Sequence, residues 1–247
     1  MPTKALCVLD GGQISTACAA LACQQFDEVH GITCNGGQRN QIELESAIAV
    51  ADMLNLPMHK IIDLSLICTK TAPLESNHFP NLSAPTSDET KGNDPTFPSA
   101  HTILVLTLAA NQAAEWGIKD IFMSVCKEDV VNGFERCQDF INLMSRVLGE
   151  GLWRDSAALK IHTPLIHLSK TEIARLAIDI LGGEFQKVFE LTHDCEMGIE
   201  SGCGECQPCL SRDRDFQEIG VEDPIWKFRH PEFNSPIAQP STILPGK

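Results

Sequence analysis

Four cysteines crowd into one short stretch, His193-Asp194-Cys195-Glu196-Met197-Gly198-Ile199-Glu200-Ser201-Gly202-Cys203-Gly204-Glu205-Cys206-Gln207-Pro208-Cys209. Cys203, Cys206 and Cys209 are each separated by two residues, and Cys195 lies eight residues upstream. Those intervals let three thiolates converge on one ion, while the glycine-bearing loop returns the fourth. Four thiolates around Zn²⁺ close a tetrahedron and leave no position for water, the structural kind of zinc site. A redox Cys-x-x-Cys pair is the alternative, but such a pair opens a helix in a thioredoxin-like unit and needs only two cysteines. Iron–sulfur ligation is the minor competitor among metals. His193 is a substitute ligand on paper; with four sulfurs the geometry is already saturated, and a surface or capping role is its plainer reading.

A second stretch with chemistry in it is Asp10-Gly11-Gly12-Gln13-Ile14-Ser15-Thr16, directly after the apolar run Ala5-Leu6-Cys7-Val8-Leu9. Glycines leaving a strand let bare amides approach a phosphate, and the following helix turns its positive N-terminus toward the anion. Two adjacent glycines also serve any tight strand–helix turn, so on their own they specify little.

These residues must be positioned by the elements around them. The first two-thirds of the chain alternates short apolar runs with helical spacing, which predicts βαβ units, a parallel sheet and an α/β fold of the doubly wound kind. Strands are expected at Ala5–Leu9, Val29–Thr33, His59–Asp63 and Asp120–Val125. Helices are expected at Ser15–Gln25, with Ser15 or Thr16 near the N-cap, and at Gln41–Leu54, Ile103–Trp116 and Phe134–Leu148. Ile161 leads toward a further helix, whose start is marked by the capping box Ser169-Lys170-Thr171-Glu172. The chain divides into a nucleotide-binding-like unit over 1–190, a zinc-binding segment over 191–223 and a Pro-rich tail over 224–247. Within the first unit, residues 70–100 hold Pro73, Pro80, Pro85, Pro95 and Pro98 and read as a long loop or lid.

Composition excludes several functions. The 247 residues include 19 Lys+Arg against 33 Asp+Glu, a formal net charge of −14. That balance argues against direct nucleic-acid binding, which needs a cationic stripe. No apolar run approaches a membrane span, and Met1–Leu9 has no export signal, so a cytoplasmic protein that does not engage a membrane is expected. Eleven cysteines is an odd number. Cys7, Cys18, Cys23, Cys34, Cys68, Cys126 and Cys137 are scattered, several within apolar stretches where a free thiol behaves as a small hydrophobe.

The glycine turn resembles the pyrophosphate loop, SGGxDS, of the N-type ATP pyrophosphatases, whose sheet is Rossmann-like. The resemblance extends to the 7-cyano-7-deazaguanine synthase (QueC) family and covers roughly 5–216. It is carried by Gln25-Phe26-Asp27-Glu28-Val29-His30, Gly37-Gln38-Arg39 and Ile103-Leu104-Val105-Leu106-Thr107-Leu108-Ala109-Ala110. It continues through Ser124-Val125-Cys126-Lys127-Glu128-Asp129, Thr163-Pro164-Leu165 and Lys170-Thr171-Glu172. The Cys203-Gly204-x-Cys206-x-x-Cys209-x-x-Arg212 signature completes it. Membership implies conversion of 7-carboxy-7-deazaguanine to the nitrile with ATP and ammonia, a structural zinc at Cys195, Cys203, Cys206 and Cys209, and a homodimer. It also implies a cofactor site at Asp10, Gly11, Gly12, Ser15, Thr16, Arg39 and His101, and a substrate site at Gln38, Phe134, Glu135 and Arg136. Ser15 and Lys170 become the catalytic candidates, although a solvated first-turn lysine is an equal reading of Lys170. Gln38 and Arg39 read equally well as caps of the helix near Gln41. Glu128 and Asp129 could assist Mg²⁺, but paired acids in a loop are more often solvated.

The chain departs from the family pattern at the chemistry. The first serine of SGGxDS is Asp10 and its aspartate is Ile14. A carboxylate about 4 Å from a phosphate, at an effective dielectric near 20, is repelled by roughly 4 kcal/mol, or roughly a thousandfold in affinity. The family's FVPGRN segment aligns with Phe97-Pro98-Ser99-Ala100-His101-Thr102, which replaces an always-charged guanidinium by a histidine. Its YPDCR segment aligns with Phe134-Glu135-Arg136-Cys137-Gln138, and Gly36 stands where the family has tyrosine. The metal signature persists while the nucleotide and substrate loops change. The expectation is therefore a catalytically impaired or repurposed binding or scaffold subunit, of a nucleobase-modification or bacterial defence system, with a protein partner and with ATP and Mg²⁺ disfavoured. The alternative is an active ligase acting on a small 7-deazaguanine carboxylate.

Overall fold

The computed structural model describes residues 2–36, 41–64, 101–132 and 137–225. Strand β1 (Lys4–Val8) leads into helix α1 (Gln13–Gln25), followed by β2 (Glu28–Asn35), α2 (Gln41–Met53) and β3 (His59–Asp63). After residue 100 come α3 (His101–Trp116), β4 (Asp120–Phe122), α4 (Lys127–Asn132), α5 (Gln138–Trp153) and β5 (Lys160–His162). Helices α6 (Lys170–Leu181), α7 (Phe185–Phe189) and α8 (Gln207–Ile219) complete the described part.

The five strands form one sheet in the order β3-β2-β1-β4-β5, and every pairing is parallel. Alternate side chains of a strand point to opposite faces, and β1 uses both. Ala5, Cys7 and Leu9 pack into a layer with α1, α6, α7 and Phe216 of α8. Leu6 packs into the other layer with Leu106, Ala109 and Ala113 of α3 and Ile141 of α5. A continuous apolar run such as 5–9 is what burial on both faces requires. This is the doubly wound α/β sheet that the alternation predicted.

The order of connections places a site. From β1 the chain winds outward to β2 and β3, then crosses to β4 and β5 on the other side. The crevice where that direction reverses opens past the carboxyl ends of β1 and β4. Asp10 to Gly12 leave β1 at this point.

Several boundaries differ from the sequence expectation, with local reasons. Helix α1 begins at Gln13 with Gly12 as N-cap, so neither Ser15 nor Thr16 caps it. Gly12 has extended dihedrals, and both hydroxyls lie one turn inside, where Thr16 Oγ1 donates to Gly12 O at 2.8 Å. Strand β4 ends at Phe122 rather than Val125, because its neighbour β5 supplies only three ladder positions. The short helices α4 and α7, the helix α8 and the strand β5 were not anticipated. Helix α8 hides in a run whose Cys, Pro and charged residues have no apolar periodicity, yet Pro208 is favourable in its first turn and Gly220 ends it in a left-handed conformation. The capping box at α6 forms as expected, with Ser169 Oγ accepting from the Glu172 amide and the Glu172 carboxylate accepting from the Ser169 amide. The proposed lid over 70–100 and nearly all of the tail over 224–247 lie outside the described residues.

Candidate functional site

The glycine turn is built against the first turn of α2. Gly11 has φ +87°, and a methyl group on it would meet the Glu43 carbonyl oxygen at 2.3 Å, so only glycine fits. Gly12 is bounded by carboxylates. A methyl there would come within 2.8 Å of Asp194 Oδ1 and 3.2 Å of Asp10 Oδ1.

Asp10 turns its side chain back over the loop. Its Oδ1 accepts from the Gly12 amide at 2.8 Å and from the Ser15 hydroxyl. Ser15 Oγ also lies 3.2 Å from Gly12 O and accepts from the Asp10 amide at 3.3 Å. Asp10 is a solvent-exposed residue whose carboxyl, crowded by the loop, titrates above its usual range. Loss of hydration is the larger cause and the nearby Asp194 adds to it, against the hydrogen bonds from Ser15 and Gly12. Glu43 is pushed up to about 7 by burial and by the charges of Asp10, Asp194 and Glu196. The carboxyl groups of Asp10, Asp194 and Glu196 thus lie close enough to Glu43 to disfavour its charge.

Asp194 and Glu43 are functional neighbours that sequence reasoning missed. Only the His193-Asp194 dipeptide beside the first cysteine hinted at either. His193 is not a surface or capping residue. It is 4% exposed, its ring Nε2 lies 3.1 Å from Cys195 O, and its backbone amide donates to Gly11 O at 2.9 Å. Burial lowers its pKa, so it stands as a neutral strut between the glycine turn and the cysteine loop.

The cysteine segment closes as its spacing suggested. The sulfurs of Cys195, Cys203, Cys206 and Cys209 all lie within 4.8 Å of one another, with Cys203 and Cys209 4.0 Å apart. A tetrahedral zinc–thiolate site, with Zn–S of about 2.3 Å, needs sulfurs about 3.8 Å apart. Backbone amides aim at them: Cys206 N to Cys203 Sγ at 3.1 Å, Glu205 N to the same sulfur at 3.3 Å, and Cys203 N to Cys195 Sγ at 3.3 Å. Burial raises the Cys203 thiol, but those amide dipoles outweigh it and bring it down to about 7. Four converging sulfurs with amide donors already aimed at them could hold a metal ion.

Arg212, three residues beyond Cys209 on α8, ties the two regions together. Its side chain is 1% exposed and holds Asp223 through Nε at 2.8 Å and Nη2 at 3.0 Å. Nη1 donates to Asp194 Oδ2 at 2.6 Å and to Thr192 Oγ1 at 2.8 Å. Burial disfavours its charge, and the two carboxylates more than compensate.

The other candidates are distributed differently. Lys170 opens α6, its backbone amide 3.4 Å from Glu128 Oε1, and its charge acts on Asp215. Glu128 and Asp129 are not simply solvated. Asp129 Oδ2 accepts from the Cys126 amide at 3.0 Å and lies 3.1 Å from its thiol, and Glu128 Oε2 is buried. His101 begins α3. Gln38, Arg39, Phe134, Glu135 and Arg136 lie outside the described residues.

The family model described as queuosine biosynthesis protein QueC matches residues 4–220. The chain is 46% identical over 226 residues to a 7-cyano-7-deazaguanine synthase of Gloeobacter violaceus, spanning 92% of this chain and 97% of that protein. Among solved structures, it resembles an NH3-dependent NAD synthetase from Campylobacter jejuni (17% identity, TM-score 0.44, 91% of this chain and 81% of that one). It also resembles the U34-tRNA thiolase NcsA of Methanococcus maripaludis, whose structure includes a [4Fe-4S] cluster (14% identity, TM-score 0.47, 99% and 78%). With the family model spanning most of the chain and a relative of nearly equal length at this identity, the chain belongs to the queuosine biosynthesis protein QueC family.

Proposed function

We propose that this QueC-family chain acts in 7-deazaguanine metabolism as a binding or scaffold subunit whose pyrophosphate loop no longer performs ATP chemistry. One observation carries the reading: Asp10 already occupies the donors that a phosphate would use, the Gly12 amide and the Ser15 hydroxyl. An incoming triphosphate must displace a carboxylate and meet the charge of Asp194 beside it. The metal is zinc and structural. Sulfurs this close surround a single ion, whereas an iron–sulfur cube holds its cysteines farther apart. A homodimer in the cytoplasm, joined to a protein partner of a nucleobase-modification or defence system, is the setting we assign to it.

The second reading is an active ligase that makes an amide or nitrile from 7-carboxy-7-deazaguanine with ATP, Mg²⁺ and ammonia. The 46% identity to a 7-cyano-7-deazaguanine synthase favours it. One incubation separates the two. Purified protein with those four components should release no AMP or pyrophosphate above background under the first reading, and sustained release of both would overturn it.

A further inference from the structure

The occupation of the glycine turn by Asp10 has a counterpart on the far side of Gly12. Asp194 comes from a segment more than 180 positions along the chain, and its Oδ1 lies 3.4 Å from the Gln13 amide. Amides at the start of a helix are its anion-binding groups. Here two consecutive amides face carboxylates, Gly12 facing Asp10 and Gln13 facing Asp194. Arg212 fixes the second carboxylate through Oδ2, and Arg212 itself cannot swing, because Asp223, Thr192 Oγ1 and Phe189 O hold the rest of its donors at 2.8–3.3 Å. The Arg212 guanidinium is thereby spent inside the protein.

We infer that Asp194, held by Arg212, is a second specificity-determining residue of the glycine turn. It excludes polyphosphate ligands independently of Asp10. The inference rests on the reading of Asp10 given above. Its consequence is that undoing Asp10 alone leaves a fixed anion over Gly12 and an engaged Gln13 amide, so the turn stays closed to polyphosphate. Removing both carboxylates frees two adjacent amides and the Ser15 hydroxyl while Asp223 still neutralises Arg212.

The test is calorimetric titration of inorganic pyrophosphate into the full metal-loaded chain and its Asp10→Ser, Asp194→Ser and Asp10→Ser/Asp194→Ser variants. The double variant should bind at least about tenfold more tightly than Asp10→Ser, and the wild type should bind weakest. Equal affinity of Asp10→Ser and the double variant would overturn the role of Asp194 while leaving that of Asp10 standing. Tight binding by the wild type would remove both. Absence of binding by all four proteins would overturn the inference as well, since the carboxylates would then not be what keeps the anion out. Metal content and melting temperature are measured on each protein. Asp194→Asn, which keeps the shape without the charge, replaces the serine variant if that variant loses its metal, and its titration is read in the same way.

Discussion

Asp10 is the second residue past β1, and its carboxylate reaches forward to the Gly12 amide at 2.8 Å. A serine at that place would leave the amide free, while a carboxylate satisfies it and carries a charge of the same sign as phosphate. The consequence spreads to Glu43, whose pKa of about 7 lies above the ordinary 4.5. Because the native chain holds this proton more tightly than the unfolded chain, stability from this group is greatest below about pH 4.5 and falls as pH rises toward 7. Glu43→Gln removes that titration. Between about pH 5 and pH 7 the variant should lose about 1 kcal/mol less stability than the wild type, after solvent screening at a partly exposed group is allowed for. Denaturant unfolding at several pH values measures it, and parallel pH profiles would contradict it. Asp10 was legible in the sequence because its motif position was recognisable. Glu43 was not, since its neighbours in space are far away in the chain.

At the scale of elements, α8 does two jobs. Its N-cap and first turn supply Cys206 and Cys209, and its next turn supplies Arg212. The sequence showed the ligand spacing but not the helix, because the run is too polar and cysteine-rich to show a periodic apolar face. A metal held by these cysteines and the Arg212 anchor would therefore share one rigid element, so that folding there would be coupled to the ion. Cys206→Ser should bring zinc in the purified protein well below one equivalent and lower the melting temperature, and dialysis of the wild type against a chelator should lower it similarly. An unchanged melting temperature in both would show that the cysteine segment folds without metal. The expected N-cap at Ser15 or Thr16 failed for a related reason. A hydroxyl in a sequence marks a cap only when the chain enters the helix there, and Gly12 permits an earlier entry.

For the whole molecule, the parallel order β3-β2-β1-β4-β5 brings the glycine turn to the crevice at the carboxyl ends of the central strands. Among the described residues that crevice gathers acid rather than base, in keeping with the overall charge of −14. A surface of that sign attracts no phosphate backbone. In a gel-shift titration at about 0.15 M salt, the chain alone should leave transfer RNA and single-stranded DNA unshifted at micromolar protein. A shift that weakens steeply with added salt would reveal a cationic path that the composition conceals.

By itself the sequence determined the α/β class, most strands and helices to within a few residues, the four cysteines that could hold a metal and the glycine turn with its carboxylate at Asp10. These features depend on spacing along the chain, which repeats with the period of a strand or a helix or sets the reach between ligands. Only the tertiary structure decided that His193, Asp194 and Arg212 join the cysteine segment to the glycine turn, and that Glu43 and Asp194 come close to Asp10. Such groupings depend on which loops a sheet brings together at one edge. No local periodicity encodes a hydrogen bond between residues 13 and 194.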